Sequence, residues 1–187
     1  MRKRSKHELS HYKQFTCNQG ELIPISVQEV LPGDSFQMST NALVRLSPLV
    51  SPVMHPVHAT IQHYFVPYRL IMDDWESFIT GGETGTDSTT FPTINITPAS
   101  GSLADYFGLP LGTAIDVNAL PFRAYALIYN EFYRNQDLQT KLTIDTSDGA
   151  DTTTNVTLKF SNWGKDRFTS SKDSAQKGAE IALPLRS

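Results

Sequence analysis

The stretch Val57-His58-Ala59-Thr60-Ile61-Gln62-His63-Tyr64-Phe65-Val66 carries the clearest structural signal in the chain. Val57, Ala59, Ile61, His63 and Phe65 point to one side of an extended backbone, and the intervening residues point to the other. Pro67 ends the alternation. Upstream, Leu22 to Val27 alternates more loosely, before the turn residues Pro32-Gly33-Asp34, and Phe36 to Leu46 is a second extended candidate. Pro48, Pro52 and Pro56 then forbid a helix and demote any strand there to an edge or a loop. Downstream, Asp73 is placed to cap a helix with Glu76 at its third position, and Gly81-Gly82 stops it. Residues 81–100, rich in Gly, Thr, Ser and Pro, read as a loop. Ser102 with Asp105 forms a second capping box, for a short helix ended by Gly108.

The longest predicted helix runs from Pro121 to Arg134. Phe122, Tyr125, Ala126, Tyr129, Phe132 and Tyr133 recur at helical spacing as one aromatic stripe. Arg123, Asn130 and Glu131 fall elsewhere on the wheel. The stripe reads as core or as a subunit interface, where aromatic residues are enriched; a stacking platform for bases is the weaker reading. Lys141–Thr146 and Asn155–Phe160 alternate on either side of Asp148-Gly149 and read as a hairpin. Residues 1–20 and 162–187 are mostly polar and loop-like. Strands interrupted by helical and loop excursions point to a mainly β chain, a β-sandwich with long insertions.

Composition agrees. Of 187 residues, 39% are hydrophobic and 19% charged, with 11 prolines and 11 glycines, which favours turns and irregular backbone over a helical bundle. The net charge of -3 argues against a nucleic-acid-binding domain, yet Arg2, Lys3, Arg4 and Lys6 cluster at the start. They read either as a solvated tail or as an arm that contacts nucleic acid. Cys17 is the only cysteine, so no internal disulfide can form, and it reads as a small buried hydrophobe or an inert thiol. The basic start lacks the apolar segment of a signal peptide, and no apolar run reaches the roughly 18 residues needed to span a bilayer. A soluble protein made in a reducing cytoplasm is the expectation.

Candidate chemistry is sparse. His55, His58 and His63 suggest a metal site, but Pro56 interrupts the geometry and His58 and His63 have opposite strand parity. The run Asp145–Asp151 hints at a calcium loop, but placing Gly149 at the sixth position puts Ile144 and Thr146 where carboxylates are needed. The Gly81–Thr86 stretch lacks the lysine of a phosphate-binding loop, and no serine lies in a nucleophile elbow. No catalytic site and no cofactor are expected.

A wider pattern links these pieces. Thr16-Cys17-Asn18-Gln19-Gly20-Glu21-Leu22-Ile23-Pro24 leads to Glu29-Val30-Leu31-Pro32-Gly33-Asp34-Ser35-Phe36. Arg45-Leu46-Ser47-Pro48-Leu49, Tyr64-Phe65-Val66-Pro67-Tyr68-Arg69-Leu70 and Trp75-Glu76-Ser77-Phe78-Ile79-Thr80-Gly81-Gly82 follow. Leu120-Pro121-Phe122-Arg123-Ala124-Tyr125, Tyr129-Asn130-Glu131-Phe132-Tyr133-Arg134 and Asn162-Trp163-Gly164-Lys165-Asp166 complete the order. In this order the chain resembles the N-terminal portion of the major capsid proteins of microviruses, especially the gokushovirus branch of these bacteriophages.

The resemblance implies a viral jelly roll with long insertion loops, incomplete in this chain, and a structural, non-enzymatic role. It implies self-assembly through pentamers into a sixty-copy, T=1 icosahedral shell around a circular single-stranded DNA genome. A small basic packaging protein, other phage structural proteins and a host-surface receptor are the further partners, without membrane insertion. The implied location is the virion, assembled in the host bacterial cytoplasm. Residues 1–20 are expected to be a basic, flexible arm, whose Arg2, Lys3, Arg4 and Lys6 contact nucleic acid. Residues 21–187 are expected to form the N-terminal part of one jelly-roll domain, with its remaining strands beyond Ser187. Phe122, Tyr125, Tyr129, Phe132 and Tyr133 are expected in packing or at a subunit interface. The alternative is a non-viral β-sandwich binding module, for example one that takes carbohydrate.

Overall fold

The computed structural model describes residues 5–52, 54–162 and 164. The chain divides into two units, one made of Met1–Val27 with Val66–Ser187 and the other of Gln28–Phe65.

The larger unit is built on a small mixed sheet with a few short helices. Strand β1 (Thr93–Ile96) lies in the middle, antiparallel to β2 (Ile115–Asn118) and parallel to β3 (Ala150–Asp151). Thr93 faces Asn118 on one side and Ala150 on the other. Pro92 and Pro98 bound β1 closely, and both are buried. Ile94 turns into the core while Asn95 turns out, where its side-chain amide donates to Asp116 Oδ1 at 2.7 Å. These two strands fall in segments without a strand signature: β1 within the expected loop 81–100, β2 between two helices. Four residues carrying Asn and Asp are too short and too polar to announce a strand alone.

Three helices follow the punctuation in the sequence more closely. α1 (Trp75–Thr80) ends on Gly81 in the left-handed conformation at φ 76°, which a side chain would resist. Its N-cap is Asp74, without a side-chain bond, whereas Asp73 accepts the Thr146 hydroxyl at 2.6 Å and so ties α1 to a distant loop. α2 (Leu103–Tyr106) has the expected box: Ser102 Oγ accepts from the Asp105 amide at 3.3 Å, and the Asp105 carboxylate reaches back to the Gly101 amide at 2.8 Å. α3 (Leu120–Ile128) starts with Pro121, whose missing N–H costs nothing in a first turn, and Asn118 Oδ1 accepts the Leu120 amide at 2.8 Å. It passes into a π-helical turn, Tyr129–Tyr133.

Helix α3 separates two apolar clusters. Ala119 and Phe122 pack with Ile94, Leu103 and Ala104, and Tyr125 borders that cluster; Leu120 packs with Ile71 and Met72, bordered by Ala124 and Leu127. Arg123 lies between the two faces on the helical wheel, and it is fully buried. Its Nε donates to Asp151 Oδ2 at 2.9 Å, and Nη1 donates to the carbonyls of Ile71 (3.0 Å) and Ser147 (2.9 Å). One side chain thus joins α3, β3, the segment before α1 and the loop before β3. The sequence placed Arg123 and Asn130 off the packed stripe; both are buried. Asn130 exchanges two side-chain bonds with the backbone of Leu142, as a strand partner would.

The expected hairpin does not form. Residues 141–149 make a loop stitched by side chains, β3 pairs with β1, and Lys159–Ser161 runs against Gly20–Leu22 through Leu22 N to Lys159 O (2.9 Å) and Ser161 N to Gly20 O (2.8 Å). The two halves of the alternating pattern therefore serve different partners.

The unit Gln28–Phe65 has a turn at Leu31–Asp34, with Gly33 at φ 87°. Among the described residues it carries no helix or strand. Phe36–Leu46 and Val57–Val66, expected as strands, are irregular here, as is Leu22–Val27 in the larger unit. Alternation marks which face of a strand would be buried, but a strand exists only where a neighbour takes its amides and carbonyls. Leu43, Met54 and Phe65 are 90%, 86% and 76% exposed.

Asp151 also accepts the amides of Thr153 (3.1 Å) and Thr154 (3.0 Å) and the Thr154 hydroxyl (2.6 Å). Burial pushes its carboxyl up, but the Thr154, Arg123 and Thr153 donors together outweigh burial and hold it below the ordinary value of 3.8. The folded carboxyl is the stronger acid, so its stabilisation is full above about pH 4 and is lost as pH falls through the folded value. Asp151→Ala should cost about 3–5 kcal/mol, because Arg123 is left charged, buried and unpaired. Arg123→Met with Asp151→Ala should cost less than the two single changes summed. In thermal melts the wild type should lose stability on acidification below about pH 4, and the double variant should lose less over that range.

Candidate functional site

The aromatic stripe splits in the structure. Phe122 and Tyr129 are buried, Tyr125 and Tyr133 half-buried, and Phe132 is 64% exposed. The π-turn is the cause: one extra residue in the turn rotates the positions after Tyr129 off the helical face that Phe122 and Tyr125 share. Phe122 meets Phe107 edge-on with ring centres 4.9 Å apart. The Tyr129 hydroxyl donates to Gln139 Oε1 at 3.2 Å.

Tyr125 has a different task. Its hydroxyl donates to Leu22 O at 3.1 Å and accepts the Lys159 amide at 2.9 Å, pinning the N-terminal segment against residues 159–161. The pinning continues upstream. Tyr106 donates its hydroxyl to Thr16 O at 2.7 Å, and Phe15 packs edge-on against the Tyr106 ring, 6.2 Å between centres. Lys13 Nζ donates to Pro24 O at 2.7 Å and to Tyr106 O, and lies 5.9 Å from the centre of the Phe15 ring. Burial lowers the Lys13 pKa, opposed by the carboxylate of Asp105. Residues 13–22 therefore form a strap held at several points without regular secondary structure. A groove of about 290 Å³ is lined by Lys13 and Pro24–Val27 together with Phe107, Val117 and Phe122. Cys17, expected buried or inert, is exposed on this strap.

Arg2, Lys3 and Arg4 lie outside the described residues; Lys6 is exposed. The histidines do not converge: His55 and His58 are exposed, and His63 Nε2 is 3.3 Å from Thr40 Oγ1. Among the described residues no group of three or more potential metal ligands comes together. The acidic run is taken up by hydrogen bonds within the chain, near and distant. Asp145 accepts the Ser147 amide and hydroxyl, and Asp148 accepts the Thr90 amide (3.1 Å) and hydroxyl (3.0 Å), bonds that lower its pKa. Among the described residues no helix is long and apolar enough to cross a membrane.

Sequence reasoning passed over one surface. Tyr68 stacks on Trp75 with centres 3.9 Å apart, Trp75 lies 5.8 Å from Phe78, and Phe78 lies 5.5 Å from Phe91. Phe78 and Phe91 keep 38% and 36% of their surface in solvent. Helical spacing of Trp75 and Phe78 was the available signal; Tyr68 joins from a short 3-10 turn, Tyr68–Leu70, and Phe91 from the segment before β1.

Burial raises the Tyr125 hydroxyl to about 12. The folded chain binds that proton more tightly than the unfolded chain, so stability is full below about pH 10 and falls as pH rises from there through about 12. Tyr125→Phe should cost about 1–3 kcal/mol by orphaning the Leu22 carbonyl and the Lys159 amide. It should also flatten the alkaline slope, read from melting temperatures between pH 9 and 12, while hydrogen exchange at Leu22 speeds up.

Against known proteins, residues 1–186 match the family described as "Capsid protein (F protein)". The chain is 39% identical over 189 residues to capsid protein VP1 of Bdellovibrio phage phiMH2K, covering 97% of this chain and 35% of that protein. It is 38% identical over 210 residues to capsid protein VP1 of Chlamydia phage 1, covering 98% and 35%, and 33% identical over 198 residues to that of Spiroplasma virus 4, covering 96% and 36%. The chain spans about a third of the length of these relatives. Matched along nearly its whole length, the chain belongs to the capsid protein (F protein) family of phages, the microvirus group that its order of motifs resembles.

Proposed function

We propose that this chain forms part of a structural, non-enzymatic subunit of a small icosahedral virion, with sixty copies enclosing a circular single-stranded DNA genome. The observation that carries this reading is the family match over residues 1–186, together with relatives named as capsid proteins. The subunit fold is a jelly roll. Exposed apolar side chains along 36–65 and the alternation of Phe36–Leu46 and Val57–Val66 support strands there in the completed sheets.

In this reading Arg2, Lys3, Arg4 and Lys6 lie on the inner face of the shell and touch DNA phosphates. The cations cluster at one end of a chain that is otherwise acidic. Four contacts on a single strand would release about three counterions, a weak and salt-sensitive bond that repetition around one genome makes large. It would be indifferent to sequence, because these side chains meet charge and not base edges. The particle also recruits a small basic packaging protein and meets a receptor on the host surface.

Electron microscopy of the expressed full-length protein should show closed shells of uniform diameter; a monodisperse monomer would support a free-standing binding module instead. Changing all four cations to Ser should leave shell formation intact and reduce DNA retained at moderate salt. Unchanged DNA content and salt tolerance would return the cluster to the role of a solvated leader.

A further inference from the structure

The N-terminal strap and the core are held together in different ways. Among the described residues the two apolar clusters draw their members from Val66 onward. In the strap, residues 14–20 are exposed, and Lys13, Glu21 and Leu22 are half-buried. Its hold comes from directed bonds. A segment that buries little apolar surface and keeps its hydrogen bonds near solvent opens at a lower free energy than a packed core does.

Those bonds fall into two groups. Gly20 and Leu22 pair with Ser161 and Lys159 through their backbones, and the Tyr125 hydroxyl reinforces the pairing. Residues 13–16 depend on one residue at the end of α2. Tyr106 offers its carbonyl to Lys13 Nζ, its hydroxyl to Thr16 O and its ring to Phe15. The other Lys13 bond, to Pro24 O, stays within the N-terminal segment. Between the two groups lies a turn that closes on itself: Glu21 accepts the Asn18 amide at 2.8 Å and its side-chain amide at 2.9 Å, and Gly20 takes φ 87°. Residues 13–16 therefore share one attachment and have a self-contained hinge behind them.

We propose that residues 13–16 are a latch that lifts off Tyr106 while Gly20–Leu22 stays paired and the core stays folded, and that the latch gates the Lys13–Gln14 bond. When it is closed, the Lys13 ammonium is half-buried on two carbonyls, Pro24 O and Tyr106 O. A lysine-directed protease must take that ammonium into its own pocket before water can add across the peptide bond, so the closed latch shields the site. When it is open, Lys13 is an ordinary solvated lysine. Lys6, seven positions upstream, is exposed throughout.

The test treats the full-length protein with a lysine-specific endoprotease and follows the products by mass. Cleavage after Lys6 is the internal standard, and the ratio of the Lys13 rate to the Lys6 rate reads the open fraction of the latch. In the wild type that ratio should be at most about one tenth. It should stay flat in urea well below the unfolding midpoint, because a local opening exposes little new surface. Tyr106→Phe keeps the ring and the carbonyl but removes the bond to Thr16, and should raise the ratio about two- to tenfold with the unfolding midpoint unchanged. Should that variant shift the midpoint, Phe15→Ser carries the same expectation, since Phe15 is already 41% exposed. Cleavage after Lys13 as fast as after Lys6 would show that no latch exists. A ratio that climbs with urea in step with global unfolding, or one that neither variant moves, would equally overturn the proposal.

Discussion

The ion pair between Arg123 and Asp151 sets the architecture of the larger unit. Both side chains are fully buried, so neither can be satisfied by water, and each must find every partner inside the protein. Arg123 reaches one carboxylate and two carbonyls; Asp151 gathers Arg123, two amides and a hydroxyl. The positions of Ile71, Ser147 and Thr153–Thr154 follow from that demand. A pair of this kind adds little net stability over an apolar replacement, but it penalises every arrangement in which one partner is displaced. It acts as a constraint on geometry more than as a source of cohesion.

The same device recurs because the sheet is small. Among the described residues the ladders are Thr93–Ile96, Ile115–Asn118 and Ala150–Asp151, so most of the described backbone lies outside strands. Side chains supply the missing bonds. Asn130 takes both backbone groups of Leu142, Tyr125 bridges Leu22 and Lys159, and Asp148 holds Thr90 while Asp73 holds Thr146. Each anchor is a polar group committed to one position in space, so long loops can be as well placed as strands. The cost is that an anchor is effective only when complete.

This division explains what could be read from the sequence. Features that depend on adjacent residues were legible: the Ser102–Asp105 box, the Gly81 stop and the start of α3 at Pro121. So was the burial of Phe122 and Tyr129, which needs only helical spacing. Features that depend on a distant partner were not. Arg123 looks solvent-bound on a wheel because a charged side chain normally is, and its partner sits in a run of Asp and Thr that reads locally as a polar turn. The parallel pairing of β1 with β3 has no local signature. The strong alternation of Val57–Val66 describes two faces but does not say which strand would pair with it, and the segment is irregular. The π-turn at Tyr129 escaped because a continuous stripe gives no sign of an added residue.

Polar anchors and apolar faces then take separate roles in the molecule. The anchors are bonded to groups of the same chain, so they fix shape. The unsatisfied surface is apolar: the outer rings of the row ending at Phe91, and the side chains of the unit Gln28–Phe65. Ordinary monomeric proteins keep such faces small, because every exposed patch invites nonspecific association. The chain spans about a third of its relatives' length, and an apolar face is the kind of surface that further packing takes out of water. A buried, directional ion pair fixes geometry better than apolar packing does, whereas covering an apolar face needs area more than direction. The charge pair inside and the apolar faces outside divide those two tasks.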